Sequence, residues 1–423
     1  MTEPARSEPQ SLTIDRIGAH GDGVAETPAG PVFVPFAMPG ETWLAPATAG
    51  AGYLQSPFSV RSPNRVPPLC PHFGACGGCV AQHIGPNLYA DWKRGIVVEA
   101  FRQRGLDADV APLVSVAAHS RRRATFTAVR VGAGIHLGYH ARASHAVCDI
   151  ASCPVLAPQI EAALPTLKMI SGLVLANGKA DEARITVTLA KHGLDVAIAG
   201  AGRKIDARGR VDIIGAAQKA RFQRLTVDGD TVLAGAAPVV TVSGVDVALP
   251  DSAFLQAVPQ AEAVMRDLVM TGLGALKSKK ASVVDLFCGL GTFTFALAQK
   301  ARVFALDGDA AAIAALTAAA KQVQGIKPIE GRRRDLFRDP LSERELRDFD
   351  AVVLDPPRAG AAAQVATLAK SKMPTIVMVS CNPATLARDV RMLVDGGYKL
   401  GPVTPIDQFL FSAHVEVVAV LER

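Results

Sequence analysis

In the last third of the chain, short apolar runs alternate with glycine turns and with segments of helical character. The apolar runs lie at residues 283–286, 302–306, 350–354, 374–380 and 414–420, and helices are predicted at 293–298, at 310–320 and after 383. Strands that alternate with helices in this way are typical of a parallel sheet covered by helices on both faces. The pattern therefore predicts a doubly wound α/β domain.

The first two thirds of the chain have a different pattern. Short apolar runs separated by glycines lie at 12–14, 21–25, 31–35 and 39–42, which favours a small β-barrel. Strand-like alternation returns at 124–131 and 184–198. We predict a multidomain α/β protein with three parts: a barrel at 1–60, a β-rich α+β domain at 61–270 and a Rossmann-like domain at 271–423.

Charge is distributed unevenly over 423 residues with a formal net charge of +6. Residues 1–60 carry −4, residues 61–280 carry +9 and the remainder carries +1. A basic middle region is the expected footprint of a protein that holds an RNA backbone, and a solvated basic face is the alternative for the run that begins at Arg121. The basic residues that suggest RNA binding are Arg61, Arg65, Lys93, Arg94 and the run Arg121, Arg122 and Arg123.

Hydrophobic residues make up 49% of the chain, but no apolar run has the length of a membrane span. The segment Met1 to Gln10 is polar and has no apolar signal region. We expect a cytoplasmic enzyme that keeps its cysteines reduced and does not associate with membranes. The sequence indicates no obligatory protein partner.

A glycine turn follows the first strand of the predicted Rossmann-like domain, in the run Asp-Leu-Phe-Cys-Gly-Leu-Gly-Thr at 285–292. Asp307 ends the next strand, where a carboxylate grips ribose hydroxyls in nucleotide-binding folds. No third glycine completes the dinucleotide fingerprint. The pattern favours a ligand with a ribose and no pyrophosphate, such as S-adenosylmethionine.

Further reactive groups follow the later strands. Asp355 stands in Asp-Pro-Pro-Arg, Cys381 in Ser-Cys-Asn-Pro, and Glu416 begins the last apolar run. A thiol at the start of a helix is favoured in its ionised form, so Cys381 is a candidate nucleophile, with a buried structural cysteine as the alternative. Cys288, inside the glycine turn, is predicted to be a small core residue.

These motifs resemble those of the RNA uracil-5-methyltransferase family: Asp-Leu-Phe-Cys-Gly-x-Gly, Asp-Pro-Pro-Arg-Ala-Gly, Ser-Cys-Asn-Pro-x-Thr-Leu-Ala-Arg-Asp and His-Val-Glu. The resemblance covers nearly the whole chain and implies that Cys381 is the nucleophile, Glu416 the general base and Asp355 a contact to the uracil edge. Leu410 and Ser412 stand where the family pattern has proline and threonine. The resemblance also implies S-adenosylmethionine contacts at Gln256, Phe287, Thr292, Asp307, Asp335 and Asp355.

Three cysteines stand close together in Cys70-x5-Cys76-x2-Cys79, a cluster of soft ligands in a glycine-bearing loop. By analogy with iron–sulfur members of the same family, Cys153 supplies a fourth thiolate and the site holds one [4Fe–4S] cluster. Cys148 is the competing fourth ligand, and zinc bound by four thiolates is the alternative metal.

The resemblance implies a structured RNA as substrate, because a uracil inside a stem must be flipped out or presented in a loop. Ribosomal RNA is favoured over transfer RNA, since a barrel resembling the TRAM domain together with a cysteine cluster is more similar to the ribosomal members. Two other functions stay open: an RNA-binding or assembly factor that keeps the fold without turnover, and a methyltransferase that acts on a protein or small molecule.

Overall fold

The computed structural model describes residues 9–46, 61–176, 180–200, 202, 205–251, 253–276, 278 and 280–423. The end of the predicted barrel region, at 47–60, and most of the polar segment Met1 to Gln10 lie outside the described residues.

The N-terminal region contains five short antiparallel strands: β1 (Pro9–Thr13), β2 (Arg16–Ile17), β3 (Gly23–Thr27), β4 (Gly30–Val34) and β5 (Thr42–Pro46). β1 pairs with β5, and β2, β3 and β4 form a second sheet. Alternate residues of these strands point into one small core that includes Leu12, Val32, Val34 and Trp43. Within its described part, this region has the short paired strands that the sequence pattern predicts.

The central region begins with a helix and continues as a largely antiparallel sheet. Its elements are α1 (Pro86–Arg102), β6 (Arg123–Val131), β7 (Gly134–His140), β8 (Val147–Asp149), α2 (Pro158–Ala176), β9 (Glu182–Ala190), β10 (Gly193–Ala199), α3 (Ala207–Lys219), β11 (Phe222–Val227), β12 (Asp230–Ala234), β13 (Val239–Val242) and β14 (Val245–Ala248). Seven of these strands form one sheet in the order β12-β11-β10-β9-β6-β7-β8. Helices α2 and α3 bury their apolar faces against it.

The C-terminal region alternates strands and helices: α4 (Pro259–Gly272), β15 (Ser282–Leu286), α5 (Thr294–Leu297), β16 (Arg302–Asp307), α6 (Ala310–Ala320), β17 (Ile329–Arg333), α7 (Glu343–Leu346), β18 (Ala351–Leu354), α8 (Ala362–Lys370), β19 (Thr375–Ser380), α9 (Pro383–Asp395), β20 (Lys399–Ile406) and β21 (Glu416–Glu422). The sheet order is β17-β16-β15-β18-β19-β21-β20. The central strands are buried on both faces, as is typical of doubly wound sheets.

The direction of β21 brings its first residue to the edge where the parallel strands end. β21 runs antiparallel to β19, with Ser380 opposite Val417. The start of β21 therefore lies beside the end of β19. Glu416 is brought next to Cys381, although 35 positions separate them in the sequence.

Two further helices pack against the C-terminal sheet and its helices. α1 packs against α9 and β20, and its residues Val97 and Phe101 share a core with Leu354 and Leu386. α4 packs against β19, β20 and β21. In the part of the chain that the structure describes, no helix combines the length and apolar character needed to cross a membrane.

For Lys93 and Arg122, the structure corrects the prediction that the named basic residues of the middle region hold an RNA backbone. Lys93 is fully buried in an ion pair with Asp407, and Arg122 is buried in an ion pair with Glu262. Three others make hydrogen bonds within the protein in less buried positions: Arg65 with Glu41, Arg94 with the carbonyl of Val110 and Arg123 with the carbonyl of Ala253. Lys93 and Arg122 thus hold the protein together, whereas Arg61 and Arg94 are exposed and Arg65, Arg121 and Arg123 are half-buried.

Candidate active site

The glycine turn after β15 forms the floor of a cavity at the carboxyl edge of the sheet. Phe287 and Gly291 both have positive φ angles, of 61° and 94°. A Cβ on Gly291 would lie 2.7 Å from Cε2 of Phe295, so glycine is required there. The backbone N–H of Gly289 donates to Oδ2 of Asp307 at 2.9 Å, which joins the turn to the end of β16.

The cavity has a volume of about 420 Å³ and brings together the residues predicted from the sequence. All eight predicted catalytic and cofactor-binding residues line it: Gln256, Phe287, Thr292, Asp307, Asp335, Asp355, Cys381 and Glu416. Cys288 also borders it but is buried in the core beside Leu290, as its predicted role requires. The predicted residues therefore share one site, in which acidic side chains stand among apolar walls that include Phe287, Leu336 and Phe337.

Cys381 also lines a second, larger cleft of about 780 Å³. This cleft is bounded by Arg16 and His20 of the N-terminal region, by Trp92 of α1, and by Arg358 and His414. Arg358 and Cys381 belong to both spaces. The thiol thus stands where a small-ligand cavity meets an open cleft large enough for an extruded nucleotide.

Burial controls the ionisation of the groups around this junction. Burial, followed by repulsion from Glu416 and Asp355, raises the pKa of the Cys381 thiol to about 11. This differs from the ionised thiol predicted from the helix start. α9 begins two residues later, at Pro383, and Asn382 caps it by accepting from the N–H of Ala384.

The carboxyl groups of the site are also shifted toward their neutral forms. Burial, with repulsion from Asp355, raises the pKa of Glu416 to about 8. Burial raises the pKa of Asp355 to about 7, against the hydrogen bond from Gln256. Asp285, below the glycine turn, has a pKa raised to about 7 by burial. A carboxyl that titrates near neutral pH in a cavity is suited to acid–base chemistry.

Two glutamines connect the carboxyl groups. The amide nitrogen of Gln408 donates to Oε1 of Glu416 at 3.0 Å and to Oε1 of Gln256 at 2.8 Å. Gln256 in turn donates to Oδ2 of Asp355 at 3.0 Å. Both glutamines are almost completely buried. Gln408 was not predicted from the sequence, where its position in Asp-Gln-Phe shortly before Glu416 was the available signal.

The predicted metal ligands lie together in a separate cavity. Cys70, Cys76, Cys79 and Cys153 all line one small cavity of about 50 Å³. Cys148 is not among its described lining residues. As these side chains stand, the described residues contain no group of three or more histidine, cysteine or acidic side chains arranged to hold a metal ion.

Comparison with known proteins supports the resemblance drawn from the motifs. A family model described as tRNA (Uracil-5-)-methyltransferase matches residues 184–423. A relative from Brucella suis, named an uncharacterized RNA methyltransferase, is 45% identical over 417 residues, which cover 99% of both chains. The 23S rRNA (uracil(1939)-C(5))-methyltransferase RlmD of Yersinia enterocolitica is 31% identical, covering 97% of this chain and 94% of the relative.

A solved structure supports the fold. The tRNA (uracil-54, C5)-methyltransferase of Pyrococcus abyssi, crystallised with S-adenosyl-L-homocysteine, aligns with 97% of this chain and all of its own at a TM-score of 0.73 and 22% identity. The family model covers more than half of the chain, and the relatives span nearly its whole length. The chain therefore belongs to the RNA uracil-5-methyltransferase family and is an enzyme of that class.

Proposed function

We propose that the protein transfers a methyl group from S-adenosylmethionine to C5 of a uridine in structured RNA, through a covalent bond between Cys381 and C6 of the base. One observation carries the proposal: the Cys381 thiol lines both cavities and stands beside Glu416 at their junction. A nucleophile and a base placed between a donor pocket and a substrate cleft match the needs of this reaction.

The 420 Å³ cavity is the proposed donor site. Its lining combines the aromatic ring of Phe287 with the carboxyl groups of Asp307 and Asp335. Carboxyl groups suit ribose hydroxyls, and an acidic pocket tolerates a positive sulfonium. When bound, S-adenosylmethionine supplies the methyl group and a positive charge that favours ionisation of the neighbouring Cys381 thiol. We assign Gln256, Thr292 and Asp355 to the same site.

In the proposed reaction, the ionised Sγ of Cys381 forms a bond to C6, and the C5–C6 π electrons move into an enolate. C5 then forms a bond to the methyl carbon, while the bond between methyl and sulfonium breaks and its electrons stay on sulfur. Addition of the thiolate is needed because C5 of uracil is otherwise a poor nucleophile. The covalent route divides one difficult step into easier ones.

Glu416 completes the proposed cycle. Its carboxylate accepts the C5 proton, the enolate re-forms, and its collapse breaks the C6–Sγ bond and restores the C5–C6 double bond. The hydrogen bond from Gln408 fixes Oε1 of Glu416, which leaves Oε2 to accept the proton. Asp355, next to both residues in the cavity, is assigned to the polar edge of the uracil.

The 780 Å³ cleft is the proposed RNA site. Arg16 and Arg358 give it positive charge, and the exposed His414 offers a ring face for stacking. Bases in single-stranded or flipped-out form are recognised by such stacking, and phosphates by arginine. The N-terminal region, proposed to be a TRAM-like module, would contact RNA through these local groups despite its net negative charge.

Ribosomal RNA is our first candidate substrate. The Yersinia enterocolitica relative, whose name specifies 23S rRNA, aligns over nearly its whole length at 31% identity. Transfer RNA stays the alternative. Mapping 5-methyluridine in both RNA pools, in cells with the gene, without it and with Cys381→Ala, tests the proposal: loss at one ribosomal position is expected. Loss confined to transfer RNA would select the alternative, and unchanged RNA would contradict the function.

We also propose that Cys70, Cys76, Cys79 and Cys153 hold one [4Fe–4S] cluster, with zinc as the alternative metal. The donor set fits, because four soft thiols face one cavity whose described lining residues include no carboxylate. Cys153 is preferred to Cys148 because it lines this cavity. A bound cluster would supply a structural crosslink there, and all seven cysteines being free thiols agrees with the cytoplasmic location that we propose.

A further inference from the structure

Helix α1 lies outside residues 184–423, the segment matched by the family model, yet it reaches the loop that leads to Glu416. We call residues 407–414 the base loop, because they connect β20 with the start of β21, where Glu416 is the first residue. Two side chains of α1, Tyr89 and Lys93, contact this loop directly. The contacts join residues more than 300 positions apart in the sequence.

The ammonium group of Lys93 donates all of its hydrogen bonds to the base loop. Its Nζ donates to Oδ1 of Asp407 at 2.6 Å, to the carbonyl of His414 at 2.6 Å and to the carbonyl of Phe409 at 3.1 Å. An ammonium has three N–H donors, so all three are used. The side chains of Lys93 and Asp407 are both completely buried. One cation therefore ties together the two ends of the loop and a point between them.

Tyr89 strengthens the same attachment. Its hydroxyl donates to Oδ2 of Asp407 at 2.7 Å and accepts from the N–H of Phe411 at 2.8 Å. In addition, the N–H groups of Val80 and Ala81 donate to the carbonyl of Phe411 at 2.8 and 3.2 Å. The base loop is thus held by α1 and by the loop that carries the cysteines.

This attachment bears directly on Glu416. Gln408, next to Asp407, donates to Oε1 of Glu416, and His414 precedes Glu416 by two residues. Without Lys93, Asp407 would be left as a buried carboxylate with no cation, and two carbonyls would lose their donor. Such a loss is among the most costly single changes in a protein, so the loop would rearrange.

We propose that Lys93 is a positioning residue for the proton-abstraction step, acting through Asp407 and the base loop on Glu416. The inference rests on the proposed function of Glu416. Lys93 is not among the described lining residues of either cavity, so its effect is exerted through the loop and not through contact with a substrate. A misplacement of about 1 Å at the base would cost on the order of 100-fold in rate.

Lys93→Met tests this, because methionine keeps much of the length of the side chain and removes its charge. The assay compares uridine RNA with 5-fluorouridine RNA, in which C5 carries no proton for the base to remove. We expect covalent complex formation on 5-fluorouridine RNA within about threefold of wild type and turnover on uridine RNA reduced about 100-fold. Methylated RNA should also accumulate as a covalent adduct of the variant.

Arg224→Met is the matched control. Arg224 forms a largely buried ion pair with Asp195 in the central sheet, at 2.7 Å, and lines neither of the two cavities. Its loss should lower the melting temperature without separating the two activities. If Lys93→Met does not fold, the double variant Lys93→Met/Asp407→Asn is assayed in the same way. The asparagine removes the unpaired buried negative charge and keeps an oxygen that accepts from the hydroxyl of Tyr89.

Two results would overturn the proposal: an equal loss of both activities in the Lys93 variants, or turnover that matches wild type. Binding of S-adenosylhomocysteine, measured by calorimetry, should be unchanged in the Lys93 variants, and a loss of binding would also count against it. Failure of the proposed function itself is distinguishable, because wild-type protein would then form no covalent complex with 5-fluorouridine RNA.

Discussion

Gln408 and Glu416 are joined by a buried hydrogen bond of 3.0 Å from the amide nitrogen of one to Oε1 of the other. The same amide nitrogen reaches Gln256, which is bonded to Asp355. The proposed base and the proposed uracil contact therefore belong to one hydrogen-bonded network. In such a network the orientation of each carboxyl depends on the glutamines between them.

Gln408→Leu should slow turnover on uridine RNA. Leucine is of similar size but cannot hold Oε1 of Glu416, and the unmade hydrogen bonds cost about 1–3 kcal/mol, or roughly 5- to 150-fold in rate. Steady-state methylation assays measure the loss. Gln364→Leu removes an equally buried glutamine of α8, which accepts from the N–H of Leu341 and lines neither cavity, and should affect stability only. Equal rates for the two variants would count against the network.

Glu416 makes stability depend on pH in a defined direction. Its pKa is about 8 in the folded protein and about 4.5 when exposed. The folded state thus keeps a proton that the unfolded state loses, and the stabilisation is complete below about pH 4.5 and declines as pH rises through 8. Urea unfolding from pH 5 to 8 should show wild type losing a few kcal/mol more than Glu416→Gln. Parallel profiles would contradict the assigned pKa.

Gly291→Ala should destabilise the protein more than Gly289→Ala. Both glycines have positive φ, but a Cβ at 291 would lie 2.7 Å from Phe295, whereas a Cβ at 289 meets open space. We expect a loss of about 2–4 kcal/mol at 291 and about 1 kcal/mol at 289. Chemical denaturation compares the two. A similar loss in both would mean that strain, not the contact with Phe295, decides the requirement for glycine.

The cysteine cavity predicts different effects for two neighbouring cysteines. Cys153→Ser should reduce the iron and sulfide bound by anaerobically purified protein, because Cys153 lines the cavity. Cys148→Ser should leave both close to wild type, since Cys148 lies outside that lining. Elemental analysis and absorption spectra give the answer. Zinc without iron in the wild type would replace the cluster with the alternative metal.

The central strands and the helix at 310–320 were predictable because they are continuous apolar or alanine-rich segments between clear turns. α6 covers Ala310–Ala320, and Asp309 caps it through the N–H groups of Ala311 and Ala312. The edge strands β17 and β20 were not predicted. Three of the five residues of β17, Ile-Glu-Gly-Arg-Arg, are charged, and β20 contains a glycine and two prolines. Neither strand therefore has the continuous apolar sequence of a buried strand.

The residues on the sheet edge were predictable from topology, because parallel strands end at one edge and motifs placed there must meet. The buried contacts that hold these residues in place were not predictable. Lys93 stands in Asp-Trp-Lys-Arg, where a lysine is expected to be solvated, and its partner Asp407 is 314 residues away. Only the folded chain shows that the ammonium group of Lys93 is paired with a buried carboxylate of the protein and does not contact RNA.

The position of Leu410 was also not predictable from the sequence motif. It departs from the family motif before Glu416, and in the structure it lines the cysteine cavity together with Arg121. The guanidinium of Arg121 lies 5.6 Å from the ring centre of Phe409 in the same loop. The changed residue therefore faces the cysteines, while the hydrogen bonds that hold Glu416 come from other positions of the loop.

The most direct test of the covalent mechanism is mass spectrometry of the protein after incubation with S-adenosylmethionine and 5-fluorouridine RNA. A denaturation-resistant complex with the mass of protein, RNA and one methyl group is predicted for wild type and should be absent for Cys381→Ala, which should still bind S-adenosylhomocysteine. Methylation of uridine RNA by Cys381→Ala, or wild type that methylates RNA without ever forming the complex, would contradict the account.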